Sequence, residues 1–418
     1  MQRIRTAVSS TFDFLLANSL FLIGGTLAAL LWANLDYHGY ELAMHGPLVA
    51  GAPGAQEGHG LTFHFVVNDV LMCFFFAIAA KEIWEALLPG GALSSPKKAA
   101  TPLLATVGGV VGPAFLYLAG TVVFDRPELT RGWAVPTATD IAFSYLVARL
   151  VFGARHPAIP FLLLLAIADD AIGLIILAVF YPQGEMNLGL FFACVLGAIL
   201  FNIGLRRFGV RSFWGYLLVA GPLSWYGFHE GGIHPALALV PIIPTLPHAK
   251  RDAGLFADPA SGHHPRDALN AFEHWWKKPV ELILMLFGLA NAGVLLGNVG
   301  VATGLVATAL LVGKPLGISL MTVLAVRGLR LEMPEGMKMT DVIVLGFMAG
   351  IGFTVALFVA TVAFPSAVSG SEVLDSAKMG ALLSFSAALL SYIASKLLGT
   401  RKLSGPPTTG TGTSIMAG

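Results

Sequence analysis

Charged residues are scarce in this chain of 418: 25 Lys and Arg and 24 Asp and Glu, 12% in all, where a soluble domain carries about a quarter. With 56% hydrophobic residues and a mean hydropathy of +0.76, that shortage excludes an ordinary soluble domain and leaves a polytopic membrane protein. The net charge of +1 provides no bulk field to attract nucleic acid, so no nucleic-acid partner is expected. Cysteine is nearly absent. Cys73 and Cys194 each lie in an apolar stretch without a second thiol or a histidine cluster nearby, which excludes a disulfide framework and a zinc site. There is no P-loop and no GxGxxG after a strand, so no resident cofactor is expected.

What is present is a succession of apolar runs, each long enough to cross a bilayer at roughly 17 to 25 residues. They fall at 13–33, 65–88, 99–121, 130–150, 157–181, 188–205, 212–228, 232–247, 279–298, 301–326, 340–364 and 376–398. The expected class is therefore all-α, with about twelve transmembrane helices in one domain over 13–400. The first run is too long for a cleaved signal and is read as a retained helix behind Arg3 and Arg5. With the N-terminus inside, the outer loops receive only Arg126, Arg131 and Lys378, and the other loop lysines and arginines collect inside. Residues 1–12 are thereby read as a cytoplasmic N-terminus, 248–278 as a basic cytoplasmic linker, and 401–418 as a disordered cytoplasmic tail.

Two basic residues remain outside this sorting. Lys81 stands near the inner end of its span and is read as snorkelling to the interface. Lys314, in LLVGKPLGI, stands about thirteen residues from either end of its span, close to the midplane. Asp169 and Asp170 have the same depth in LAIADDAIGL, and Asp140 has it in VPTATDIAF. Each such charge costs about 2.5 to 3.5 kcal/mol on insertion, so four without partners would cost on the order of ten. An inert ion pair cannot absorb three acids against one base. Adjacent helical residues point about 100° apart, so one of the two aspartates can take the lysine while the other faces a cavity. In such a cavity a proton and a hard cation compete for the same oxygens.

Two spans carry breaks: Pro136 just before Asp140, and Gly346, Gly350 and Gly352 with Thr354 in GFMAGIGFT. Each lies in the middle span of a trio, 99–181 and 301–398, and the two trios start on opposite sides of the membrane. That is an inverted repeat, with two broken helices expected to cross at mid-membrane. Asp140 would offset exposed helix N-termini there, and Lys314 exposed C-termini.

The stretches VNDVLMCFFF, GWAVPTATDIAF, LAIADDAIGLIILAVFY, GGIHPALA, FEHWW, LANAGV, LLVGKPLGI and GIGFTVALFVATVAF resemble the NhaA-type sodium/proton antiporters from about residue 13 to 398. TDIAF, DD and GKPLG at these spacings make the resemblance specific. It implies an electrogenic secondary transporter in the bacterial inner membrane, not an enzyme, that expels sodium or lithium for more than one proton and works faster at alkaline pH. By the same resemblance Asp170 is the principal sodium ligand, with Asp169 as a second ligand that exchanges pairing with Lys314. Thr139 and Asp140 belong to the broken-helix crossing, and Glu82, His234 and Glu273 to a pH-response network. The chain departs from the pattern after Glu82, where Trp84 and Glu85 replace a basic pair. The first outer loop, GPLVAGAPGAQEGHGLTF, takes the place of a small hairpin through which protomers pair, so a homodimer is implied. Two other readings compete: a sodium-coupled symporter of an organic solute on the same scaffold, and an intramembrane aspartyl protease. The protease reading lacks its GxGD motif.

Overall fold

The computed structural model describes residues 20–48, 61–94, 96–248, 267–365 and 371–403. Among them the chain is helical and contains no strand; a single bridge, Pro47 to Thr62, flanks the first outer loop. Residues 49–60, where the hairpin was expected, lie outside the described residues, as do 1–19, 249–266 and 404–418. We number the helices α1 (Leu20–Leu35), α2 (Tyr37–His45), α3 (Phe63–Leu87), α4 (Pro96–Val123), α5 (Pro127–Thr137), α6 (Ile141–Phe152) and α7 (Ala158–Phe180). There follow α8 (Leu188–Arg207), α9 (Phe213–Glu230), α10 (Ala268–Asn291), α11 (Val301–Gly328), α12 (Met339–Ala349), α13 (Phe353–Ala363) and α14 (Glu372–Leu398).

Six of these are long and apolar enough to cross a membrane, and the bent pairs α5–α6 and α12–α13 raise the number to eight. The other four expected crossings fall on α1, α9, α10 and the stretch 232–247. The last of these is a correction to the sequence reading. It is not a continuous helix but two 3-10 turns, Pro235–Leu237 and Ile243–Thr245, joined by further turns. Pro235, Pro241, Pro244 and Pro247 remove backbone donors faster than a helix tolerates. Non-helical backbone survives at this depth because protein covers it, with Ala238, Ile242, Ile243 and Leu246 all buried. A second correction concerns the linker. Helix α10 begins at Ala268, capped by Asp267, whose carboxylate accepts from the Asn270 amide at 2.8 Å. The end of the stretch read as linker is therefore helix.

Helices α4 and α11, the first of each trio, touch backbone to backbone. A Cβ added at Gly108 would stand 2.1 Å from the Gly317 carbonyl oxygen, and one at Gly112 would stand 2.5 Å from that of Gly313. The pairs Gly108–Gly112 and Gly313–Gly317 are four residues apart, the small-residue spacing that lets membrane helices approach closely. Lys314 lies between the second pair and passes over Gly109, whose added Cβ would be 3.8 Å from the lysine Cε. The α5–α6 and α12–α13 breaks bend by 54° and 50°. In both trios the middle helix is broken, as the inverted repeat requires.

The candidate mid-membrane ion site

Pro136 and the loop Ala138–Asp140 end α5, and Gly350–Gly352 separates α12 from α13. The four helix ends so created leave amides and carbonyls without intrahelical partners. They are satisfied across the crossing. The Asp140 amide donates to the Ile351 carbonyl at 2.7 Å, the Thr139 hydroxyl to the Ala349 carbonyl at 2.9 Å, and the Ser144 hydroxyl to the Met348 carbonyl at 2.9 Å. The Asp140 carboxylate caps both N-terminal ends: Oδ1 accepts from the Phe143 amide at 3.2 Å, and Oδ2 accepts from the Thr354 amide at 3.3 Å and from the Thr354 hydroxyl. Thr139 and Asp140 thus lock the crossing rather than facing a cavity. Thr354 is the partner that sequence reasoning left as a mere member of a glycine-rich break.

Lys314 satisfies the opposite polarity. Fully buried, its Nζ donates to the Thr137 carbonyl at the C-terminal end of α5 and to Asp169 Oδ2 at 2.8 Å. Asp169 is 2% exposed, and its second oxygen has no hydrogen-bond partner. Asp170 points elsewhere. It lines a narrow cavity with Phe75 and Phe76 of α3, Ala138 at the break, Gly173 and Leu177 of α7, and Val355 of α13, and Asp169 borders the same cavity. Asp170 makes no hydrogen bond or ion pair among the described residues, and the free space beside it is about the room of one water. A carboxylate in so small a cavity can hold either a proton or one largely dehydrated cation.

The remaining candidates divide into two places. Glu273 of α10 and Glu85 of α3 contact Lys81 at 2.5 and 2.6 Å, with Glu82 beside them. Lys81 is 5% exposed, so it does not snorkel; it ties α3 to α10. Its position near the inner end of the span suggested snorkelling; Glu85, one turn along α3, and Glu273, brought in by α10, hold it inside instead. His234 is not part of this cluster. It lies against Phe358, with ring centroids 4.8 Å apart, and its Nε2 is 4.0 Å from Asp69 Oδ1. Asp69, within VNDV, was missed as a titratable neighbour. Lys378, assigned to an outer loop by charge sorting, is instead buried on α14.

The sequence profile of the family described as Na+/H+ antiporter 1 matches residues 12–395. Among similar curated proteins, the Na(+)/H(+) antiporter NhaA of Jannaschia sp. (strain CCS1) is 51% identical, covering 94% of this chain and 98% of its own length. That of Geobacter metallireducens is 48% identical over 92% and 97%, and that of Desulfitobacterium hafniense (strain DSM 10664 / DCB-2) is 46% identical over 94% and 97%. These are transporters rather than enzymes, and the chain, a multi-pass membrane protein, belongs to the Na+/H+ antiporter 1 family.

Proposed function

We propose that the protein expels sodium or lithium from the cytoplasm in exchange for protons, with proton and cation competing for Asp170 and, secondarily, Asp169. The observation that carries this reading is the contrast between the adjacent acids: Asp169 is neutralised by Lys314, whereas Asp170 faces a cavity with no protein partner of its own. Space for about one water suits a single cation and not an organic solute, which favours the exchanger over the symporter. When a cation takes Asp170 and draws in Asp169, Lys314 loses its counter-ion. Proton exchange at this second pair makes the cycle electrogenic. Glu82 and Glu273, gathered around Lys81, are proposed members of the pH response, and His234 a separate one beside Asp69. The inner-membrane location with both termini in the cytoplasm, and pairing of two copies, belong to the same proposal; pairing is tested by cross-linking in native membranes.

The test is proton flux in proteoliposomes on addition of sodium, lithium or potassium across a pH series. Sodium and lithium each release protons from the wild type with no organic solute present. Asp170→Asn abolishes the response while the protein remains folded; retained sodium-dependent flux in that variant refutes the assignment.

A further inference from the structure

The two broken spans differ in their first halves. Helix α5 is a 3-10 helix over all eleven residues of Pro127–Thr137, whereas its counterpart α12 is an α-helix of the same eleven-residue length. Runs of 3-10 helix beyond three or four residues are uncommon, because their hydrogen bonds align poorly and their side chains eclipse. A rise of about 2.0 Å per residue in place of 1.5 Å makes α5 about 5 Å longer than the same residues would be as an α-helix. A helix stretched over this length needs neighbours to hold it.

Three surrounding helices provide them. The Tyr117 hydroxyl of α4 donates to the Leu129 carbonyl at 3.0 Å, and the hydroxyl of Tyr181, just past the end of α7, donates to the Arg131 carbonyl at 2.6 Å. At Gly132 a side chain would collide with the Tyr117 hydroxyl and with the ring of Phe364, which follows α13. Tyr117, Tyr181 and Phe364 are all fully buried. This clamp stands between the ion cavity and one face of the membrane. Leu177 of α7 and Ala138, which follows α5, line the cavity, and Tyr181 lies one turn of chain beyond Leu177. Leu129, Ala134 and Val135 of α5 are buried, so the helix presents no polar route past itself for a cation.

We propose that α5 closes the ion cavity toward the side where Pro127 lies, and that Tyr117 and Tyr181 are positioning residues that hold it shut. Neither touches the ion. When both hydroxyls let go, the stretched helix is free to shorten toward the form of α12, and the cavity opens on that side. Interactions made only in the closed state set how much of the protein is closed, so deleting them shifts the population toward open. In the topology read from the loop charges this side is the outer one. The place of the closure in a transport cycle rests on the proposed function; the accessibility of the cavity does not.

A thiol on the cavity wall tests the closure without any transport. The full chain carrying Leu177→Cys is treated with a charged, membrane-impermeant methanethiosulfonate in right-side-out and in inside-out membrane vesicles, and modification at residue 177 is followed by peptide mass spectrometry. Adding Tyr117→Phe and Tyr181→Phe raises the rate from the outer side by about tenfold, as expected for two lost hydrogen bonds, and each change alone raises it about threefold. The rate from the inner side does not rise. Tyr216→Phe, which deletes a hydroxyl donating to the Val210 carbonyl at 2.8 Å away from α5, alters neither rate. Val355→Cys, on another wall of the cavity, repeats the measurement should Leu177→Cys fail to fold. No rise from the outer side overturns the closure, and so does an equal rise from both sides, which is general loosening. A wild type with no sodium/proton exchange in proteoliposomes refutes the proposed function and leaves the closure to the labelling rates.

Discussion

Replacing Lys314 with Met removes the one donor that reaches both the Asp169 carboxylate and the Thr137 carbonyl. Lysine and aspartate are 0% and 2% exposed, so neither group left behind can turn to water. Breaking a buried pair by deleting one partner costs about 3 to 5 kcal/mol, and the orphaned carbonyl adds to the upper part of that range. Asp169→Leu costs about 3 kcal/mol for the converse reason, because Lys314 keeps only a neutral carbonyl. Removing both charges together is far cheaper, since replacement of a buried pair by apolar side chains is often nearly neutral. The double variant should therefore lose about 1 to 2 kcal/mol, giving a coupling energy above about 3 kcal/mol. Unfolding in mixed SDS micelles, followed by tryptophan fluorescence, measures all four corners of the cycle. Asp170→Asn provides the contrast: with no protein partner to lose, it changes stability by less than about 0.5 kcal/mol. A double variant whose loss equals the sum of the singles to within about 0.5 kcal/mol would show that the pair does not couple, and the division of labour between the two aspartates would fall with it.

Thr354→Val deletes the hydroxyl that donates to Asp140 and should cost about 1.5 to 3 kcal/mol, whereas Thr354→Ser keeps most of the stability in the same assay. Gly317→Ala places a methyl 2.0 Å from the Gly108 carbonyl oxygen and should cost about 1 to 3 kcal/mol while weakening sodium affinity, because α11 carries Lys314. Gly304→Ala on the same helix meets nothing within 4 Å and should be tolerated, so equal effects at the two glycines would refute the packing account. Lys81→Met strips Glu273 and Glu85 of their shared cation and should loosen α3 from α10, read as faster hydrogen exchange at the Lys81 end of α3 with the turn near its other end, Val66–Leu71, unchanged.

The sequence by itself determined the class of the protein, because apolar run length is set by bilayer thickness and needs no partner to be read. It also determined the depth of Asp140, Asp169, Asp170 and Lys314 and the two breaks, since position along a span converts directly into position across the membrane. Charge at mid-membrane has so few stable solutions that the need for a pair and a cavity was legible as well. Which acid took which role was not. Helical spacing places Asp169 and Asp170 about 100° apart but does not say which face meets α11. Only the Gly108–Gly112 and Gly313–Gly317 contact, which brings Lys314 across Gly109, sets Lys314 against Asp169 and leaves Asp170 to the cavity. Lys81 was misread for a related reason. Its carboxylates lie four residues along the helix and 192 residues along the chain, and the distant one becomes a neighbour only when α10 packs on α3. The stretch 232–247 was read as a helix because its hydropathy is that of a span. Its prolines forbade the helix, and the surrounding protein made an irregular path affordable at that depth. Depth and charge are one-dimensional properties, which the chain carries in its sequence; facing and pairing are relations between distant segments, which only packing can fix.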